Sequence, residues 1–99
     1  MAHNPLEPIQ KADAPLADLI EKSRSLAYAP GELSLKHKLL IAFTIDVAVK
    51  SENGIRSLAL QALDAGATKK ELTEALDIAH YICGVGCIYT AAAALKDIL

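Results

Sequence analysis

Apolar residues recur along the chain with the spacing of an α-helix in five successive segments. After Pro15 they fall at intervals of three and four, which places them on one helix face: Leu16, Leu19, Ile20 and Leu26. Further helices are predicted over about 35–50, 53–65, 69–83 and 87–98. Residues 1–14 lack this spacing and contain Pro5 and Pro8. We therefore expect an N-terminal arm over 1–14 and a helical domain over 15–99.

Local signals mark where these helices begin and end. Ser34 is placed to cap the second helix. Thr68, followed three residues later by Glu71, matches the capping box that precedes a helix. Breaks are predicted where proline or glycine interrupts the pattern, at Pro30-Gly31, at Gly66 and at Gly84-Val85-Gly86.

The second predicted helix has almost no polar face, because it is apolar nearly all round from Leu39 onward. Such a helix is expected to be central, surrounded by other helices or by another subunit. A chain of 99 residues has too small an interior to bury this much aliphatic surface alone. The pattern therefore predicts an all-α, single-domain bundle of about five helices that assembles as a homo-oligomer.

Composition supports the helical class and excludes several partners. Alanine and leucine, the leading helix formers, occupy 18 and 15 positions, and only four residues are aromatic. A net charge of −2 provides no basic surface for nucleic acid. The longest apolar run, Leu39 to Val49, is too short to span a membrane and contains Asp46. With no signal-peptide pattern and only two cysteines, a cytoplasmic protein with reduced thiols is expected.

Two segments of the chain resemble a known family. They are Leu33-Ser34-Leu35-Lys36-His37-Lys38-Leu39-Leu40-Ile41-Ala42 and the longer Ala62-Leu63-Asp64-Ala65-Gly66-Ala67-Thr68-Lys69-Lys70-Glu71-Leu72-Thr73-Glu74-Ala75-Leu76. With Gly84-Val85-Gly86 after them, they resemble the carboxymuconolactone decarboxylase family, which includes the alkylhydroperoxidase-D-like proteins. The resemblance covers about residues 15–95 and implies an all-helical fold that assembles as a homotrimer or homohexamer.

The resemblance also implies where the family's chemistry would lie. Its peroxidase branch uses a glutamate, a Cys-x-x-Cys pair and a histidine, which together supply thiolates and move protons. The matching positions here are Leu39, Ser51, Gly54 and Leu58, none of which can do this chemistry. The decarboxylase branch uses the same histidine position, so the resemblance predicts the fold and a degenerate redox site.

Cysteine and histidine do occur together elsewhere in the sequence. His80, Cys83 and Cys87 would share one helix face if the helix continued through Gly84. One interpretation is a relocated thiol site in which His80 activates a cysteine. The alternatives are that both cysteines pack as small buried apolar residues, or that the three residues bind a metal.

Asp46 is a second candidate, because it is a carboxylate within an apolar helix. Unpaired in such a place, it would have a raised pKa suited to a general acid or base. The alternative is an ion pair with Lys50, four residues on, or with Arg56 across the turn.

Three functions from different classes follow from these observations. The first is a non-redox oligomer that binds a small organic acid or a partner protein. The second is a thiol-dependent alkylhydroperoxidase or disulfide reductase that uses Cys83 and Cys87, and the third is a lactone decarboxylase that uses acids such as Asp46. No cofactor and no bound metal are expected.

Overall fold

The computed structural model of the protein describes residues 4–99, and all regular secondary structure in that range is helical. The six helices are α1 (Glu7–Ala12), α2 (Ala14–Tyr28), α3 (Leu35–Ala48), α4 (Glu52–Asp64), α5 (Lys69–Cys83) and α6 (Gly86–Leu95). The predicted all-α class is confirmed. The expected number of five helices is wrong, because the segment predicted as an arm contains the short helix α1.

The chain divides into two compact units, residues 1–31 and residues 32–99. In the first unit, α1 and α2 pack together and bury Ala17. Helix α2 begins where the sequence predicts, because Pro15 occupies its first turn and the Asp13 side chain accepts a hydrogen bond from the Leu16 N–H. The first three residues of the predicted arm lie outside the described range.

The second unit contains α3 to α6, and α3 packs against the other three helices. Its core is formed by six side chains with almost no exposed surface: Phe43, Val47, Ile55, Leu72, Cys87 and Leu95. Small buried residues on α4, α5 and α6 let these helices approach closely, namely Ala59, Ala62, Ala79, Ala91 and Ala94. This arrangement buries the face of α3 that contains Phe43 and leaves its opposite face exposed.

The predicted caps are present in the second unit. Ser34 accepts a hydrogen bond from the His37 N–H at the start of α3. Thr68 and Glu71 form both bonds of the capping box, at 3.0 and 2.9 Å. Gly66 and Gly84 have φ values of +103° and +86°, which suit glycine, and each follows the end of a helix.

Two ion pairs connect elements that are distant in sequence. Arg56 of α4 donates two hydrogen bonds to Asp97, at 2.5 and 3.0 Å, which lower the pKa of that carboxyl and raise that of Arg56. Lys36 of α3 donates to Glu71 of α5 at 3.1 Å. The Thr68 backbone N–H and Lys36 together lower the pKa of Glu71 below its usual value of 4.5.

Replacing Glu71 with glutamine should lower the free energy of unfolding at neutral pH. Glutamine retains the capping-box pattern but removes the charge. Because the pKa of Glu71 is lower in the folded state, its stabilising effect is present above pH 4.5 and is lost as the pH falls through the lowered value. The variant should therefore show a smaller loss of stability between roughly pH 5 and 3.

The measurement is urea unfolding of both proteins across this pH range. Glu74→Gln, one turn further along α5, is the matched control, since Glu74 forms no ion pair with the described residues. Equal pH dependence of stability in the wild type and in Glu71→Gln would contradict the prediction.

Candidate functional site

The cysteine cluster expected at the end of α5 does not share one helix face. Cys83 is the last residue of α5, and the N–H of Gly84 closes the helix on the His80 carbonyl at 2.8 Å. The left-handed conformation of Gly84 then turns the chain, and α6 begins at Gly86. The helix therefore does not continue through Gly84, which was the condition for bringing Cys87 onto the face of His80 and Cys83.

The two cysteines have opposite environments. Cys83 and His80 are exposed, so the expectation that Cys83 packs in the core is wrong. Cys87 is completely buried, and its S–H donates to the carbonyls of Gly84 at 3.2 Å and Ala79 at 3.8 Å. These hydrogen bonds engage the thiol proton and stabilise the turn between α5 and α6. No group of three or more His, Cys, Asp or Glu side chains within residues 4–99 is arranged to hold a metal ion.

Asp46 is half-buried on α3, and its carboxylate lies against the first turn of α4. It does not pair with Arg56, which binds Asp97 instead, nor with Lys50, whose ammonium group lies near Gly86. The expected ion pairs of Asp46 are therefore wrong. A negative charge at this end of α4 is favourable, because the free N–H groups there carry partial positive charge.

Gly54 is the residue that Asp46 approaches most closely. A Cβ atom at position 54 would clash with Oδ2 of Asp46, lie 2.9 Å from its Cγ and lie 3.0 Å from the hydroxyl oxygen of Ser51. Ser51 and Gly54 are the positions that the family resemblance matches to the cysteine pair. The other two such positions are Leu39, which is buried, and Leu58, which is half-buried.

An open groove of about 530 Å³ lies between α3 and α5, and the sequence pattern did not predict it. We call it the α3/α5 groove. Its apolar lining comes from Leu33, Leu40, Ile41, Ile45, Ala75 and Ile78. The signal that could have revealed it was α3 itself, which is apolar on all sides while only one of its faces packs in the core.

Most of the polar residues that line the α3/α5 groove already have hydrogen-bond or ion-pair partners. His37 bonds through Nδ1 to the Ser34 hydroxyl at 2.6 Å, and Thr44 donates to the Leu40 carbonyl at 2.8 Å. Glu71 is held by Lys36. The Glu74 side chain forms neither an ion pair nor a hydrogen bond with residues 4–99. The groove therefore combines an apolar surface with one unpaired negative charge.

The chain matches a known protein family. The model of the carboxymuconolactone decarboxylase family matches residues 14–97. That range contains α2 to α6, and with them both cysteines, Asp46 and the whole α3/α5 groove. No match to the chain was found among curated proteins or among solved structures. No helix within residues 4–99 has the length and apolar character needed to cross a membrane.

Alkylation should distinguish the two cysteines in the native protein. Iodoacetamide should modify Cys83 readily, whereas Cys87 should react only when the protein unfolds, because it is buried and hydrogen-bonded. Mass spectrometry of peptides sampled over time, with and without urea, measures both rates. Equal rates in native protein would mean that the turn between α5 and α6 opens. A Cys83 rate with a midpoint well below about pH 8.5 would favour the thiol enzyme.

Gly54→Ala should destabilise the protein although alanine is the better helix former by about 1 kcal/mol. The new methyl group would collide with the Asp46 carboxylate. In an Asp46→Ala background the same substitution should be neutral or stabilising, giving a coupling of about 1 kcal/mol or more in a double-mutant cycle. Urea unfolding of the four proteins measures this coupling, and additive effects would contradict it.

Proposed function

Because the chain belongs to the carboxymuconolactone decarboxylase family, we propose that it uses the family's helical frame without its redox chemistry. In this proposal it is a self-associating, protein-binding member. Its α3/α5 groove binds an amphipathic helix through apolar contacts. The groove binds this partner and does not catalyse a reaction. The observation that carries the proposal is the groove itself.

The dimensions and lining of the α3/α5 groove support a helix as its occupant. Its volume is within the range of about 300–1,000 Å³ that is usual for binding pockets, and it is open to solvent rather than enclosed. The exposed apolar surface continues past it to Val49, directly after α3, and to Ile82 on α5, which are 65% and 71% exposed. A long apolar strip between two helices suits the anchors of a third helix, which recur every three or four residues.

The charge of the groove argues against the small organic acid that was expected as an alternative ligand. The Glu74 carboxylate has no partner among residues 4–99, and the nearby cation Lys36 is already paired with Glu71. An anionic ligand would therefore meet an unpaired negative charge of the same sign. A helix that carries a lysine or arginine beside its apolar stripe would instead pair with Glu74.

The non-redox part of the proposal rests on the thiols and on the positions matched to the family's active residues. Those positions hold Leu39, Ser51, Gly54 and Leu58, which supply neither a thiol nor a proton carrier. Of the two cysteines present, Cys87 is buried with its thiol proton engaged. A relocated reaction would then depend on Cys83 alone, without a second accessible thiol to resolve an oxidised intermediate.

Binding should be tested with a fluorescent synthetic helix of 15 residues that presents leucines on one face and a lysine beside them. Ile45→Glu should weaken its binding by about tenfold or more, because a charge would be buried against the ligand. Leu60→Glu on α4 is the matched control, since Leu60 is 47% exposed and Ile45 is 57% exposed, but Leu60 lies outside the groove. Fluorescence anisotropy measures both affinities.

Equal binding by the wild type and Ile45→Glu would contradict the α3/α5 groove as the binding site. The same preparations should be assayed for reduction of an organic hydroperoxide with a dithiol donor. Turnover that disappears in Cys83→Ser would establish the thiol-dependent alternative. Lactone decarboxylation that disappears in Asp46→Asn would establish the decarboxylase.

A further inference from the structure

We infer that the helix received by the α3/α5 groove is α2 of a second copy of this chain. The inference rests on the proposed function and identifies its partner. Each copy has both parts of the contact, an exposed apolar helix in its first unit and an exposed apolar groove in its second.

Helix α2 has the surface of a helix that docks on another surface. Of its 15 residues only Ala17 is buried. The leucines of its apolar stripe are exposed, with Leu16 at 41%, Leu19 at 62% and Leu26 at 80%. Leu16 and Leu19 are three residues apart and Leu19 and Leu26 seven apart, which are spacings of the anchors by which an amphipathic helix enters a groove.

The lengths of the two surfaces agree. From Leu16 to Leu26 the stripe of α2 extends over roughly 15 Å at the helical rise of 1.5 Å per residue. The apolar surface of α3 from His37 to Val49 extends over roughly 18 Å by the same measure. The whole stripe of α2 can therefore contact the groove at once.

The charges of the two surfaces also match. Lys22 lies three residues after Leu19 and four before Leu26, at the edge of the stripe. Asp18 and Glu21 lie farther from the stripe than Lys22, and they line a small cleft beside Ala17 with Gln10 of α1.

The cation beside the stripe is therefore Lys22, which forms no ion pair with the described residues. Arg24, the other cation in this part of α2, lies over the ring of Tyr28 at 5.7 Å. Docking α2 with Lys22 next to Glu74 would join two charges that form no ion pair among the described residues of a single chain.

Reciprocal exchange of α2 between copies would bury two apolar surfaces of each copy, its α2 stripe and its groove. One copy gives its α2 and receives the α2 of its neighbour, so the contact can close between two copies or around a ring. Assembly by this route would cover the side of α3 that α4, α5 and α6 leave exposed.

Sedimentation equilibrium of the full chain tests whether α2 drives assembly. Leu19→Glu should weaken self-association by about tenfold or more, whereas Leu60→Glu on α4 should leave it unchanged. Lys22→Glu and Glu74→Lys should each weaken it, and the double variant should recover most of the loss because the ion pair is restored with opposite polarity.

Cross-linking identifies the surfaces in contact. In a Cys83→Ser background, which retains the buried Cys87, Leu19→Cys on one copy and Ile78→Cys on another should give a cross-linked heterodimer with a short bis-maleimide. Mixing Leu19→Cys with Leu60→Cys copies is the control and should give none. Circular dichroism of each variant checks that it is folded.

Three outcomes would overturn the inference. The first is self-association that resists Leu19→Glu while the synthetic helix still binds the groove, which would leave the proposed function standing. The second is a Leu19→Cys/Ile78→Cys chain that cross-links only to itself as a monomer, because α2 would then occupy its own groove. The third is a synthetic helix that binds Ile45→Glu as tightly as the wild type. That result would rule out the groove as the binding site and the proposed function with it.

Discussion

The fold depends on how α3 is buried. Its apolar side chains point in every direction, so it needs contact around its whole circumference to leave water. Phe43 and Val47 are fully buried against the neighbouring helices of the second unit, and they fix α3 as the centre of that unit. Ile41 and Ile45 face the other way and are about half exposed. The structure therefore has a packed core on one side of α3 and an exposed apolar surface on the other.

The sequence was informative wherever a helix end is determined by local chemistry. Pro30-Gly31, Gly66 and the capping box of Thr68 and Glu71 act through bonds within a few residues, so the predicted bounds of α2 and α5 agree with the structure to within a residue or two. Helix α1 was missed for the same kind of reason. It has six residues, one of them Pro8, and is too short to display a helical repeat of apolar positions.

The candidate site could be predicted only in part, because its geometry is tertiary. Placing His80, Cys83 and Cys87 on one face required an uninterrupted helix, and the φ of +86° at Gly84 ends that helix. The α3/α5 groove joins residues more than 30 positions apart, such as Ile41 and Ala75, so no local pattern could assemble it. The pattern could show only that α3 lacked a polar face, which indicated that something else must cover it.

Helix α3 also separates Gly54, one of the positions that the resemblance matches to the family's cysteines, from the α3/α5 groove of the proposed binding. At 100° per residue, Asp46 lies on the opposite side of α3 from His37, and it turns toward Gly54 rather than toward the groove. A cysteine at position 54 would meet the Asp46 carboxylate, so a thiol at that position would need at least two substitutions together. The groove shares none of these residues. Substitutions at Asp46 and Gly54 can therefore alter one side of α3 while the apolar groove on the other side is kept.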